Sequence, residues 1–180
     1  MAEIILGIDP GSRKTGYGVL HMQGNQLTYL GSGCIVMDTS DPIAERMLMI
    51  FEAVSSIIEQ FHPTVMAVEE AFLSKNVQAT IKLAEARSAA MVAGARLKLP
   101  VYEYTPMQIK QAVVGYGAAE KYQVQFMVTK ILHLNGRPQA DAADALACAI
   151  CHGYTYKVSV AMGAGVQIGS SVRGRLRQGR

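Results

Sequence analysis

The sequence predicts an α/β fold: a mixed sheet, in which a three-strand antiparallel meander is continued by parallel strands, flanked by helices. Three observations carry this expectation. The N-terminal part of the chain holds three strand-like stretches joined by short turn-rich segments, which suit antiparallel hairpins. After Pro42 apolar residues recur at three- and four-residue steps, the period of an amphipathic helix. Between helical segments stand two short apolar runs, residues 64–69 and 101–104, and the first reads as a strand buried on both faces.

Taken in order, residues 4–9 form the first expected strand, followed by the turn Pro10-Gly11-Ser12-Arg13. Residues 16–22 form the second, and after Gln23-Gly24-Asn25 residues 27–36 form the third. Ser40 or Asp41 before Pro42 marks a helix start. Ile43, Met47, Ile50, Val54, Ile57 and Phe61 then make its apolar stripe, and Pro63 ends it. A long helix is expected over about residues 76–97, and Thr105-Pro106 opens a short one through Val114. Gly115-Tyr116-Gly117 is a joint, and two further helices span residues 119–132 and 141–152 around the Gly136-Arg137-Pro138 loop. From Gly153 on, Gly, Ser and Arg prevail without periodicity. The expected division is therefore a domain over residues 1–155 and a basic, disordered tail over 156–180.

A chain of 180 residues suits one domain with one substantial core. Its net charge of +3 conceals an asymmetry: residues 1–70 carry nine acids and three bases, whereas residues 71–140 carry three acids and nine bases. Opposed acidic and basic zones suit an enzyme that holds a cation in one place and a polyanion around it, although solvated surface has the same composition. No apolar run reaches membrane-spanning length, and Met1-Ala2-Glu3 lacks the basic start of a signal peptide, so a cytoplasmic location is expected. Cys148-Ala149-Ile150-Cys151-His152 matches a haem-attachment pattern, but it continues an apolar helix and has no exporting context. The three cysteines, Cys34 included, read as small buried hydrophobes. Gly11-Ser12-Arg13-Lys14-Thr15-Gly16 is a poor phosphate loop, because Tyr17 stands where that motif needs Lys.

Four carboxylates stand out. Asp9 ends the run Ile4-Ile5-Leu6-Gly7-Ile8, Glu69 ends Val65-Met66-Ala67-Val68, and Asp141 and Asp144 open an alanine-rich helix three residues apart, on one face. Each has an ordinary reading: Asp9 as a turn former, Glu69 as a lysine partner, the pair as helix-start residues favoured by the dipole. Together they are expensive, since buried carboxylates must be neutralised, paired or bound to a cation. If the ends of the first and fourth strands lie side by side under that helix, the four converge, and a hard divalent ion such as Mg²⁺ is the natural counter-charge.

Ile5-Leu6-Gly7-Ile8-Asp9-Pro10-Gly11-Ser12 with Thr15-Gly16-Tyr17-Gly18 resembles the opening of the RuvC family, the bacterial Holliday-junction resolvases. Ala67-Val68-Glu69 with Phe72 and Lys75-Asn76, residues 113–121, and residues 139–147 resemble the family's later motifs, in order and at compatible spacing from about residue 3 to 152. The resemblance implies a ribonuclease H-like fold, a homodimer, and Mg²⁺-dependent cutting of four-way DNA junctions. It implies two ions per site, replaceable by Mn²⁺, held by Asp9, Glu69, Asp141 and Asp144, with Asp141 open as ligand or base. Glu70, one residue on from Glu69 in an extended strand, is expected to face away.

The resemblance also places Lys110 and Lys121 near the scissile phosphate and gives Phe72 the role of an unstacking wedge at the junction centre. On residue type alone, Phe72 is a core plug and the lysines are solvated. Arg13, Lys14, Lys75, Lys82 and Arg87 are further candidate DNA contacts. The branch-migration proteins RuvA and RuvB are implied partners. Three other readings compete: an actin-like kinase or ATPase, for which the chain is too short; a nuclease acting on RNA or RNA–DNA hybrids; and a junction binder without catalysis.

Overall fold

Five strands, β1 (Ala2–Asp9), β2 (Lys14–Gln23), β3 (Gln26–Val36), β4 (Val65–Glu69) and β5 (Val101–Tyr104), form one sheet in the order β3-β2-β1-β4-β5. The computed structural model describes residues 2–70 and 76–161. β1, β2 and β3 pair antiparallel as the short connections require, whereas β1–β4 and β4–β5 are parallel and connected through helices. The expected mixed sheet is therefore present.

Its two faces are covered by different helices. α1 (Ile43–Phe61) and α2 (Val77–Arg96) bury Ile50, Val54, Ala86 and Ala90 against Leu6, Ile8, Met66 and Val68. α3 (Pro106–Val114), α4 (Lys121–Ile131) and α5 (Ala140–Ala161) cover the other face over Ile5, Leu20, Val65 and Ala67. Alternate residues of β1 and β4 thus enter opposite cores, as the two-residue period of a strand dictates. The starts follow local chemistry: Asn76 caps α2 by accepting from the Ala79 N–H at 3.1 Å, and Thr105 and Gln108 form a capping box at α3.

One boundary differs from expectation. α5 does not stop at residue 152 but runs to Ala161. Gly153 is there a packing residue, because a Cβ on it would meet the Met22 sulfur at 3.1 Å and Leu27 at 3.3 Å. Its lack of a side chain lets the helix continue across the end of the β2–β3 hairpin. Residues 71–75, with Phe72 and Lys75, and the tail from 162 on lie outside the described residues.

Candidate active site

The parity that divides the two cores also positions the first two carboxylates. Ile5 and Val65 pair across β1 and β4 and face α5, and the register continues through Ile8 and Val68. One step further, Asp9 and Glu69 stand at neighbouring strand ends, both on the α5 side of the sheet. Glu70 falls on the opposite parity and does not line the cleft; its N–H donates to the Tyr104 carbonyl at 2.9 Å.

The second pair arrives with α5, and glycines let it come close. A Cβ at Gly16, the β2 partner of Asp9, would lie 2.0 Å from the Asp141 carbonyl oxygen. One at Gly7 would lie 2.1 Å from the Ala145 carbonyl oxygen. Only residues without a side chain permit this approach of helix backbone to strand backbone. Behind the acids, Ala145 through Cys151 are fully buried and hold the helix down. Asp141 lies in the first turn of α5 and Asp144 three residues on, on the same face.

The result is a shared acidic site. Carboxylate oxygens of Asp9, Asp141 and Asp144 lie within 4.8 Å of one another. A cleft of about 380 Å³ is lined by Asp9, Glu69, Asp144, Lys110 and Lys121 with apolar walls from Ile109, Val124 and Ala147. Asp9 and Asp144 belong to both sets, with Asp141 completing one and Glu69 the other.

Crowding shows in the protonation equilibria. Burial, and then the charges of Glu69 and Asp144, push the Asp9 carboxyl up to about 8 from the usual 3.8. Burial and the charge of Asp144 push Glu69 up to about 7. Asp144 is also raised by burial, although Lys121 opposes the rise. Lys121 bonds Asp144 at 2.5 Å. Burial works against its ammonium, but that bond and the fields of Asp9 and Asp141 outweigh burial and raise its pKa. Raised in this way, Asp9 and Glu69 hold protons near neutral pH unless a cation replaces them. Oxygen-only donors, closely spaced and under-compensated by lysine, fit a hard divalent ion such as Mg²⁺ or Mn²⁺.

The other candidates scatter. Lys110 lines the cleft with Lys121. Arg13 and Lys14 are exposed at the β1–β2 turn beyond Asp9. Lys82 is exposed on α2, and Arg87 forms an ion pair with Glu103. Phe72 and Lys75 cannot be placed among the described residues. Cys148, Cys151 and His152 are buried in the core, so the haem-like pattern is core packing. Cys34 departs from expectation: it is only half-buried on β3, where the Ala142 N–H bonds its sulfur beside Asp141.

Two site features escaped the sequence reading. Fully buried Thr15 exchanges hydrogen bonds with Gly11, accepting from its N–H at 3.4 Å and donating to its carbonyl at 3.2 Å, which closes the turn after Asp9. The glycines under α5 were also missed, though Gly7, Gly16 and Gly18 all sit inside strands, where glycine marks close backbone approach.

Comparison with known proteins agrees with this geometry. The model of the family described as "Crossover junction endodeoxyribonuclease RuvC" matches residues 5–152. A protein of that description from Photobacterium profundum is 54% identical over 174 residues, covering 97% of this chain and 99% of the relative. One from Shewanella loihica is 55% identical over 160 residues, covering 89% and 92%. Among solved structures, T. thermophilus RuvC in complex with Holliday junction substrate superposes with a TM-score of 0.82 at 35% identity, covering 90% of this chain and 97% of that one. The yeast mitochondrial Holliday junction resolvase, at 12% identity and a TM-score of 0.64 over 89% and 81% of the two chains, shares the fold.

Proposed function

This chain belongs to the RuvC family of crossover junction endodeoxyribonucleases, and on that premise we propose how its cleft divides the work of cutting a Holliday junction. Its fold is ribonuclease H-like and its activity is that of a junction-resolving endonuclease. The acidic cluster is consistent with the metal dependence of the family. Asp9, Asp141 and Asp144, with Glu69 beside Asp9 and Asp144 in the cleft, would hold the divalent cations, Mg²⁺ or Mn²⁺. Bound there, two such ions supply a lowered pKa for the attacking water and charge neutralisation for the leaving 3′ oxygen of an in-line displacement.

The chain's own residues do the rest. Lys121, which bonds Asp144 at the cleft, is placed to neutralise the scissile phosphate. Lys110, which also lines the cleft, holds a second phosphate oxygen. The apolar walls at Ile109, Val124 and Ala147 limit water around the reacting atoms. Phe72 unstacks bases at the junction centre, and Arg13, Lys14, Lys75 and Lys82 hold backbone phosphates. Arg87 would join them only by leaving Glu103.

Two symmetric cuts need two sites related by a two-fold axis. The groove between α1 and α2, lined by Met47, Leu48, Phe51, Ile81, Ala84 and Val92, is the apolar face available for a second copy. Leu48→Asp should therefore shift the protein to monomer in sedimentation analysis. RuvA and RuvB are the proposed partners in the same reaction. No described helix is long and apolar enough to cross a membrane, and the proposed place of action is the cytoplasm.

The observation that carries this function is the convergence of Asp9, Glu69, Asp141 and Asp144 from three separate elements. The test is cleavage with Mg²⁺ of a synthetic four-way junction, a linear duplex and an RNA–DNA hybrid. Paired symmetric nicks confined to the junction are expected. Preferential cutting of the hybrid would refute it in favour of a ribonuclease.

A further inference from the structure

We propose that the outward row of α4, Tyr122, Phe126 and Lys130, is a stacking ledge for unpaired bases of the junction strand where it leaves the cleft. The inference rests on the junction-cutting function above. α4 is divided lengthwise: Val124 and Val128 are buried in the core, whereas Tyr122 is 68% and Phe126 48% exposed. A core role for these rings is therefore excluded. Their four-residue spacing puts them on one side of the helix, about 6 Å apart along its axis. The Lys130 ammonium lies 5.5 Å from the centre of the Phe126 ring and continues the row by one more turn.

Single exposed aromatics need no explanation, but this row has two properties that point to an occupant. It starts at the cleft: Lys121, which precedes Tyr122, bonds Asp144, and Val124 forms part of the cleft wall. It also has a lysine at each end, Lys121 in its ion pair with Asp144 at one and Lys130 at the other. Flat faces between positive charges suit a nucleic-acid strand, whose bases stack on rings while its phosphates meet ammonium groups. A protein partner would gain little from exposed lysines at both ends. Stacking of this kind tolerates any base, so the ledge supplies affinity and the path of the strand, not sequence choice.

The test uses the full chain and a four-way junction with 2-aminopurine at positions flanking the cut, in metal-free buffer. The parent should change the probe's fluorescence on binding. Tyr122→Ala/Phe126→Ala should abolish the change and weaken junction affinity about tenfold or more. Tyr122→Phe should behave as the parent, and Lys130→Gln should lower the salt dependence of binding by about one phosphate contact. Parent-like affinity and fluorescence in the double alanine variant would overturn the ledge. So would a change confined to self-association, which would make the row a protein interface. A parent that binds no junction at all would instead overturn the functional reading on which the ledge depends.

Discussion

Gly16→Ala adds one methyl group where β2 passes under the start of α5, and its consequence follows from two distances. The new Cβ would lie 2.0 Å from the Asp141 carbonyl oxygen and 2.4 Å from its carbon, where ordinary contact begins at 3.4 Å. Both atoms are backbone, so no rotamer relieves the clash. The first turn of α5 must retreat by more than an ångström, taking Asp141 and Asp144 with it, while Asp9 and Glu69 stay on their strands. A misplacement of about 1 Å in positioned groups costs on the order of 10²-fold in rate. The overpacking itself costs about 1–3 kcal/mol of stability, which a domain of this size survives. The assay is single-turnover junction cleavage in Mg²⁺, with junction binding in metal-free buffer and a thermal melt alongside. Gly136→Ala, where a Cβ meets nothing within 4 Å, is the control. Gly16→Ala should bind the junction, melt somewhat lower and cut about a hundredfold more slowly. Cleavage at the parent's rate would refute the argument that glycine spacing sets the reach between helix and strand acids.

Other expectations follow from the same cleft. Asp9 and Glu69 titrate near 8 and 7 when folded, far above their usual 3.8 and 4.5. Because both folded values are raised, the stability they contribute is full below about pH 4 and is lost as pH rises through 7 to 8. The melting temperature of EDTA-treated protein should therefore fall across that window, and Mg²⁺ should flatten the fall; a rise would contradict the assigned crowding. Asp9→Asn should abolish cleavage while keeping junction binding, measured by gel shift, and normal cutting would remove Asp9 from the mechanism. Lys121→Met removes the competitor for Asp144, so half-maximal cleavage should need less Mg²⁺ while the maximal rate falls. A higher Mg²⁺ requirement would show that Lys121 helps the ions rather than competing with them.

Much of this was legible because strands have a strict period. Placing Asp9 after Ile5 and Ile8, and Glu69 after Val65 and Val68, already commits both acids to one face once β1 and β4 are neighbours. The three- and four-residue steps from Met47 to Phe61 likewise leave one way for α1 to lie, although Ile43, the first residue of the expected stripe, is exposed. What sequence did not show was depth. Gly7 and Gly16 read only as members of strands, yet their importance is how near α5 comes, a property of two elements far apart in the chain. Gly153 read as a helix end for the same reason: glycine stops an exposed helix but lets a buried one pass a neighbour. The Lys121–Asp144 bond joins two helices and has no local signature.

The distribution of charge ties these strands of argument together. Asp9, Glu69, Asp141 and Asp144 gather around a cleft that, among the described residues lining it, offers Lys110 and Lys121 in return. That imbalance is met partly by protons on Asp9 and Glu69 and partly by Lys121 on Asp144. A phosphate entering then meets acids with little positive charge to spare. Divalent cations held by these acids would offset their charge, so metal and scissile phosphate are expected to favour each other's binding. Coupling of this kind is reciprocal: whatever factor the junction gains from Mg²⁺ at this cleft, Mg²⁺ gains from the junction. Junction affinity measured with and without Mg²⁺ should therefore differ, and equal affinities would refute this coupling.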